Sequence, residues 1–599
     1  MIQRRAMLRV AALATGLAGS AAWLISQSTT LTIPADETLL RAMRDELARS
    51  KQLAVVAGSD APYFFSYMLT DAETLRVSAT MGAVVDVSRN RFRSPSTEVR
   101  VGSYDFDNTG HIFSGVYSGS RYDGNWPLDD DYDNFRNELW LSTDRAFKAA
   151  VESMARKRAS LNNSAASAES LPDFSKVAPV VSIGKVSRVK VDDAEWTGRT
   201  ARLAAVLTTN KEVLSSGVEL QLIQGPTTLM NSEGTAIRYN DDLYWIYAKA
   251  EGQAPDGMLL HDAVSVQALE LSKFPDEAAM RKSLAEVGEN VRALVHAPQA
   301  ERYSGPVLLE PQAAAQLLAQ LLGDNLRVPR RPLSDPGRNV PFAPSELENR
   351  LSSRILPDSF DVTDDATQAT FNGKPLAGFY PFDMEGVPPR PVSVVEKGVL
   401  KNLLTTRQPV RGFPVSNGHA RLPGNYGAYS AAIGNLFVKS SETTPLADLK
   451  KRLIDMTKSS GKPYGMLVRK LDYPYSATGS ELQALAQASA QSGGSARPVS
   501  PPILIYRVYP DGREELVRGL RFRGLSSRST LRDILAASTE TAQFDFVNVA
   551  APLAFLGAGG YLAPASVISP GLLFEEIELE PPQDQLPKAP TVPPPNAGN

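Results

Sequence analysis

Cysteine is absent from all 599 residues of this chain. That removes disulfides, lipoprotein anchoring, cysteine-protease chemistry, thiolate-held zinc and iron–sulfur clusters, and leaves the core alone to hold the fold. Histidine is scarce: His111, His261, His296 and His419 are the whole supply. An excess of one charge is also missing. Sixty-three basic residues stand against 66 acidic ones, a net charge of −3. With no basic stripe, nucleic acid is excluded as a partner. Hydrophobic residues make up 43% and charged residues 22%, too apolar for a disordered chain and ordinary for a globular one. The length allows several domains.

A long uncharged run occurs at the start. Arg4, Arg5 and Arg9 precede a stretch without charge from Val10 to Thr30, with small residues around Gly19–Ala22. This is the order of an export signal, assigned to residues 1–35, and the run is short for a membrane-spanning helix. The expected location is the periplasm or another extracytoplasmic space. "RRAMLR" resembles a twin-arginine signal, which implies export after folding; an ordinary secretory signal with two adjacent arginines is the alternative.

Beyond this segment the chain reads as blocks of helix and strand. Leu39–Arg49 is an amphipathic helix, and Thr74–Asn108 alternates β-branched and polar residues as strands do. Ser142–Leu161 places Phe147, Ala150, Val151 and Met154 along one helical face. Val180–Ala250 has strand character, and a helix covers Asp276–Val295. Leu309–Asp324, "LEPQAAAQLLAQLLGD", is a helix with Pro311 in its first turn and a stripe of Leu317, Leu318, Leu321 and Leu322. Its groups with chemistry are read as one amide, Gln320, and one carboxylate, Asp324. Beyond Arg354 strands dominate, except for a helix at "TTPLADLKKRLIDM" with Thr444 as N-cap and Pro445 as first helical residue. "ALAQASAQSGGSARPVSPP" is a flexible insertion, "ILIYRVYPDGREELVRGLRF" a hairpin turning at Asp511-Gly512, and residues 581–599 a Pro-rich tail without packing. Blocks rather than strict alternation predict an α+β fold.

Several segments, in this order, resemble the TldD/PmbA family of zinc-dependent proteases and their inactive-looking relatives. "GPVLLEPQAAAQLLAQLLGD" is similar to the family's active helix, LEPEAAGxLLHExxGH. "DVTDDATQATFNGKPLAGFYPFDMEGVPPRPVSVVEKGVLKNLLTTRQPV", "SNGHAR" and "GNLFVKS" resemble the strand-rich region after it. "EVRVGSYDFDN" and Ser142–Leu161 resemble the amino-terminal region of longer members. The resemblance implies two strand-rich α+β regions, 36–295 and a metalloprotease-like 296–580. It places HExxxH on residues 319–324, so that Ala319 stands for the first histidine, Gln320 for the general-base glutamate and Asp324 for the second histidine; Gly323 is retained. Active relatives complete the zinc site with a cysteine. Zinc catalysis needs about three protein ligands and an open position for water, and a neutral amide takes no proton from that water. No cofactor is therefore expected. The implied role is a degenerate subunit that binds extended peptide and pairs with an HExxxH-containing homologue, or forms a homodimer.

Other candidates weigh against this. His419 in "SNGHAR" is the best functional histidine, as a cleft residue with Asn417 or a weak metal ligand with Asp324; a loop histidine bonded to backbone is the plainer account. Asp364, Asp365, Asp383 and Glu385 form an acidic set able to recruit Ca²⁺, Mg²⁺ or Mn²⁺ in a rebuilt peptidase site; the plainer account has them capping turns and facing water. Ser416 with His419 lacks the strand–turn–helix setting of a serine nucleophile and is rejected. The segment Asp107–Asn134 has the aromatic and glycine content of a binding loop, which would suit a non-proteolytic envelope binding protein.

The export reading is tested at its arginines. Replacing Arg4 and Arg5 by lysine is expected to block a twin-arginine route while leaving a general secretory route largely intact. Fractionation that finds full-length chain in the cytosol of growing cells removes the export signal altogether.

Overall fold

The computed structural model describes residues 37–55, 60–112, 120–122, 126–162, 171–328, 330–334, 344–423, 428–473, 499–549, 562–582 and 586–588. The export segment, most of the Ala-, Ser- and Gly-rich insertion and the end of the tail lie outside these residues.

Two sheets divide the chain as an α+β fold. The first is built on a long hairpin, Pro62–Thr80 against Ala83–Val101. Met81 and Gly82 turn it with φ of 47° and 84°, the two positive values that a two-residue turn matched to strand twist requires. Ser215–Gln224 and Pro226–Asn231 pair in succession with the first strand of the hairpin, and Leu243–Gln253 and Leu259–Ala268 extend the sheet. Four helices cover it: α1 (Thr38–Ser50), α2 (Tyr132–Asn162), α3 (Asp193–Val206) and α4 (Glu277–His296).

Helix α3 lies inside the region read as strand. Asp192 caps it through the amides of Ala194 and Glu195, and Trp196, Leu203 and Ala204 enter the core. Helix α2 begins ten residues before the expected start, so the last residues of the presumed binding loop are helix. The start of that loop is interior: Asp107 and Asn108 are buried, Asp107 on Arg100 at 2.9 Å and Asn108 on the amide of Val101. Those side chains hold the fold and are closed to a ligand.

The second sheet centres on Leu562–Glu580, which runs parallel to Asn435–Ser440 and antiparallel to Tyr303–Leu309 and Ile534–Val549. Strands with neighbours on both edges and layers on both faces are apolar on both faces, and Ala563–Leu573 is buried without interruption. Helix α5 (Pro311–Leu321) packs on this strand and helix α6 (Leu446–Ser459) covers another part of the sheet. Helix α6 starts one residue later than expected, because Thr443 and Thr444 are extended and pair with Ala537 and Ser538. Glu540, not Thr444, caps it by accepting from the amide of Leu446. The hairpin turn at Asp511-Gly512 forms, with Gly512 at φ 89°. In the tail, Leu586 packs against the first half and Pro587 accepts from Gln253, a contact that composition did not predict.

The two halves are pinned at Arg407, which has no exposed surface. It leaves the second half and bonds Glu233 through both terminal nitrogens, at 2.8 and 2.7 Å, and the carbonyl of Ser175. Its guanidinium lies 3.9 Å from the centre of the Phe174 ring, and that of Arg100 lies 3.6 Å from the same point. Two cations this near one centroid fit only on opposite faces of the ring. Arg407→Ala strands Glu233 and a buried carbonyl, so the loss is expected at about 3–5 kcal/mol. Urea denaturation is the check; a variant within experimental error of the parent would mean that the seam is held elsewhere.

Candidate functional site

Helix α5 carries the positions to which the resemblance gives zinc chemistry. Pro311 stands at its first turn, and the preceding amide of Glu310 bonds Val468, which anchors the helix to the sheet. Leu317, Leu318, Leu321 and Leu322 are all core residues. The helix ends at Leu321 and tightens into a 3₁₀ turn, Gly323–Asn325. Asn325 and Ser527 both donate to the Leu321 carbonyl and so satisfy the end. Gly323 does not take a positive φ here. A Cβ on it would lie 3.0 Å from Ile433, so close packing is what favours glycine.

The side chains on this frame are engaged in structural bonds. Ala319 is buried and offers only a methyl group. Gln320 accepts from the amide and the hydroxyl of Ser500 at 2.8 and 2.9 Å and donates to the Gln316 carbonyl. Asp324 is partly buried and pairs with Arg327 at 3.3 Å. Gln316, which sequence reasoning misses, is the second working amide. It donates to the carbonyls of Leu471 and Tyr473 and accepts from the amide of Leu471, as a neighbouring strand would. The signal is its place on the apolar stripe, one turn before Gln320.

The loops 364–387 and 403–421 bring the other candidates into one buried network. His419 is wholly buried, with Nε2 2.9 Å from Asp364 Oδ1 and Nδ1 3.1 Å from the Asn417 carbonyl and 3.0 Å from its Oδ1. Asn417 donates through Nδ2 to Leu403 and accepts from the amide of Thr405, which assigns its amide orientation. Nδ1 of His419 therefore faces acceptors alone and carries a proton; a second hydrogen bond ties Nε2 to Asp364. The ring has no free lone pair to offer a metal. Asp364 also accepts from the amide of Gly434, beside the Ile433 that packs on Gly323.

Asp383 accepts from the amides of Glu385, Val387 and Ala420, each at 2.9–3.0 Å. Burial still pushes its carboxyl up to about 6, against those bonds. Glu385 accepts from the Arg407 amide at 2.6 Å; burial, then the Asp383 charge, push it up to about 8, with Arg407 opposing. Asp365 caps its own turn through Thr367 and Gln368. The acidic set thus caps turns, as the plainer account has it, but it does so buried rather than facing water. Ser416 bonds the Thr405 carbonyl and the Gly418 amide, away from His419. No bond joins this network to Gln320 or Asp324 among the described residues. The nearest links are Ile433 against Gly323 and the Leu404 amide on Leu326.

Burial by the surrounding protein raises the carboxyl of Asp241, in the first half, above the usual range, with the charge of Arg421 opposing. Arg421 of the second half, half-buried, lies 3.8 Å from the centre of the Tyr380 ring.

Residues 301–471 match the PmbA/TldA metallopeptidase C-terminal domain. The resemblance to the TldD/PmbA family rests on this domain. Seventy-eight residues, 13% of this chain, are 36% identical to a metalloprotease of Archaeoglobus fulgidus. They span 17% of that relative's length. The fold is that of a candidate modulator of a DNA gyrase from Thermotoga maritima, with a TM-score of 0.54 at 13% identity over 90% of this chain and 100% of that one. TldE from Thermococcus kodakarensis gives 0.54 at 12%, again over 90% of this chain and 99% of its own. On this TldD/PmbA frame the residues present do not fit zinc: a methyl, an engaged amide and an ion-paired carboxylate occupy the implied ligand positions, and no cysteine exists. Among the described residues no three histidine, aspartate or glutamate side chains are grouped as a cation site.

The raised Glu385 carboxyl carries a pH dependence. It is protonated when folded at neutral pH and ionised when unfolded above about 4.5, so its stabilising contribution is complete below that value and is lost as pH rises through about 8. Urea midpoints are expected to fall across this window, and Glu385→Gln to flatten the upper part. An equal slope in the variant would reassign the proton.

Proposed function

We propose that this TldD/PmbA-like protein is a catalytically degenerate, peptide-binding subunit that partners an HExxxH-containing zinc protease. The observation that carries the reading is Gln320. At the general-base position it holds an amide locked on Ser500 and Gln316, between Ala319 and an Asp324 turned to Arg327. Such a frame keeps the shape of a metallopeptidase domain without a group to activate water. The Archaeoglobus fulgidus metalloprotease, similar over 78 residues, supports a proteolytic setting. Export to the periplasm, from the arginines and uncharged run at the start, would put the pair in the envelope.

Purified protein is expected to contain no stoichiometric zinc by elemental analysis and to leave unfolded peptides uncut when alone. Co-expression with an HExxxH homologue is expected to give a complex that cleaves them. One tightly held zinc per chain, or metal-dependent cleavage abolished by Asp365→Ala, would replace this function with that of a rebuilt metal enzyme.

A further inference from the structure

One edge of the first sheet is open. The hairpin strand Ala83–Val101 pairs along its length with Pro62–Thr80, and its other edge is taken only at Ser96–Glu98, by Ser120–Tyr122. Among the described residues no strand covers that edge from Ala83 to Pro95. Every residue from Ala83 to Phe92 is exposed except half-buried Ser88, and Val84, Val85, Val87 and Phe92 are large and apolar, with Val85 at 65%. A long edge with β-branched residues and unmet N–H and C=O groups is a template for another strand. The usual guard is charge, and here it is spent within the chain. Arg89 pairs with Asp193 and Glu73, and Arg91 pairs with Asp71 at 2.8 Å. The register leaves Val85 without a partner, so a bulge bends the strand there and the straight run is Asp86–Phe92.

This run is complementary to itself in one arrangement. A copy laid antiparallel, with Ser88 opposite Ser88, sets Asp86 against Asn90 and Val87 against Arg89. The first pair joins an acceptor to a donor; in the second the arginine stem covers the valine while its head stays on Asp193. Asp86, Ser88 and Asn90 share one face of the sheet, opposite Ser78, Arg76 and Thr74, and Val87 and Arg89 share the other. Each pair therefore lies on a single face, as antiparallel pairing requires. Other arrangements fit less well. An axis at Arg89 sets arginine against arginine. An axis at Val87 brings the two Asp86 carboxylates, which no cation meets among the described residues, onto diagonal positions. A parallel copy in register sets every charge against its own kind.

We infer that a second copy of this chain docks on the edge at Asp86–Phe92, antiparallel about a twofold axis at Ser88, and joins the two first sheets into one. The contact lies in the first half alone and does not depend on the subunit reading above. A ladder this short buries less than a standard interface, so the dimer is micromolar rather than nanomolar.

Sedimentation equilibrium of the full chain is expected to show a reversible monomer–dimer equilibrium in that range. The joint substitution Val85→Asp and Val87→Asp, at exposed positions, is expected to weaken it by about tenfold or more. Because the chain has no cysteine, Ser88→Cys supplies a single thiol. Directly opposed residues of an antiparallel pair have Cα atoms about 4.5–5.5 Å apart, within the span of a disulfide. Diamide oxidation is therefore expected to link two chains through that variant far faster than through Lys148→Cys, whose position on helix α2 is 72% exposed. A parent that stays monomeric at high micromolar concentration overturns the inference. So does a dimer that survives the double aspartate variant and leaves the Ser88→Cys variant unlinked. A parent that associates only with an HExxxH homologue, and loses that complex in the aspartate variant, overturns the second copy and gives the edge to that partner.

Discussion

The structure depends on one buried cation at the seam. Arg407 comes from the second half, but every group its guanidinium satisfies, Glu233, the Ser175 carbonyl and the Phe174 face, belongs to the first. A guanidinium without exposed surface is tolerable only when its charge is met and its donors are filled, so the halves can take one relative position. Lys470 on Asp262 and Arg518 on Asp256 repeat the pattern elsewhere along the boundary, at 2.6 and 2.8 Å. The backbone amide of Arg407 binds Glu385, so the same residue reaches into the candidate site. Geometry at the seam and proton occupancy in the acidic network are thereby coupled.

That network shows how this frame accommodates a set of buried carboxylates. A buried set of carboxylates is unstable unless each is bonded, paired or protonated. Asp364 is paired with His419, Asp383 is filled by three amides, and Glu385 retains its proton at neutral pH. The set is thus self-sufficient and does not need a cation to exist. The same logic holds on helix α5, where the carboxamides of Gln316 and Gln320 bind strand edges and loop amides. Both amides bind backbone, and the fold gains order from them.

The local chemistry of the sequence determined much of the fold. Helix α5 with its start at Pro311, the long hairpin, the turn at Asp511-Gly512 and the α+β class all arise from periodicity, caps and turn residues, which act over a few neighbouring residues. Helix α3 escaped because its apolar positions are interleaved with the β-branched runs around it, and its single clear sign, the cap at Asp192, is easily passed over. Helix α6 shifted because a distant strand holds Thr444 extended and a distant glutamate caps in its place.

What each candidate residue does was decided by the tertiary structure. From sequence, His419, Asp364, Asp383 and Glu385 are equally a metal site or a set of turn caps, since residue type fixes what a side chain can bind and not what it meets. Their burial and the direction of each lone pair come from contacts between segments far apart in the chain, and those contacts assign them to one another. Arg407 and Arg421 are alike in type and fourteen residues apart, yet one fills a socket in the other half and one stacks on Tyr380 in its own. Charge and size were written in the sequence; the availability of an unfilled bond was set by packing.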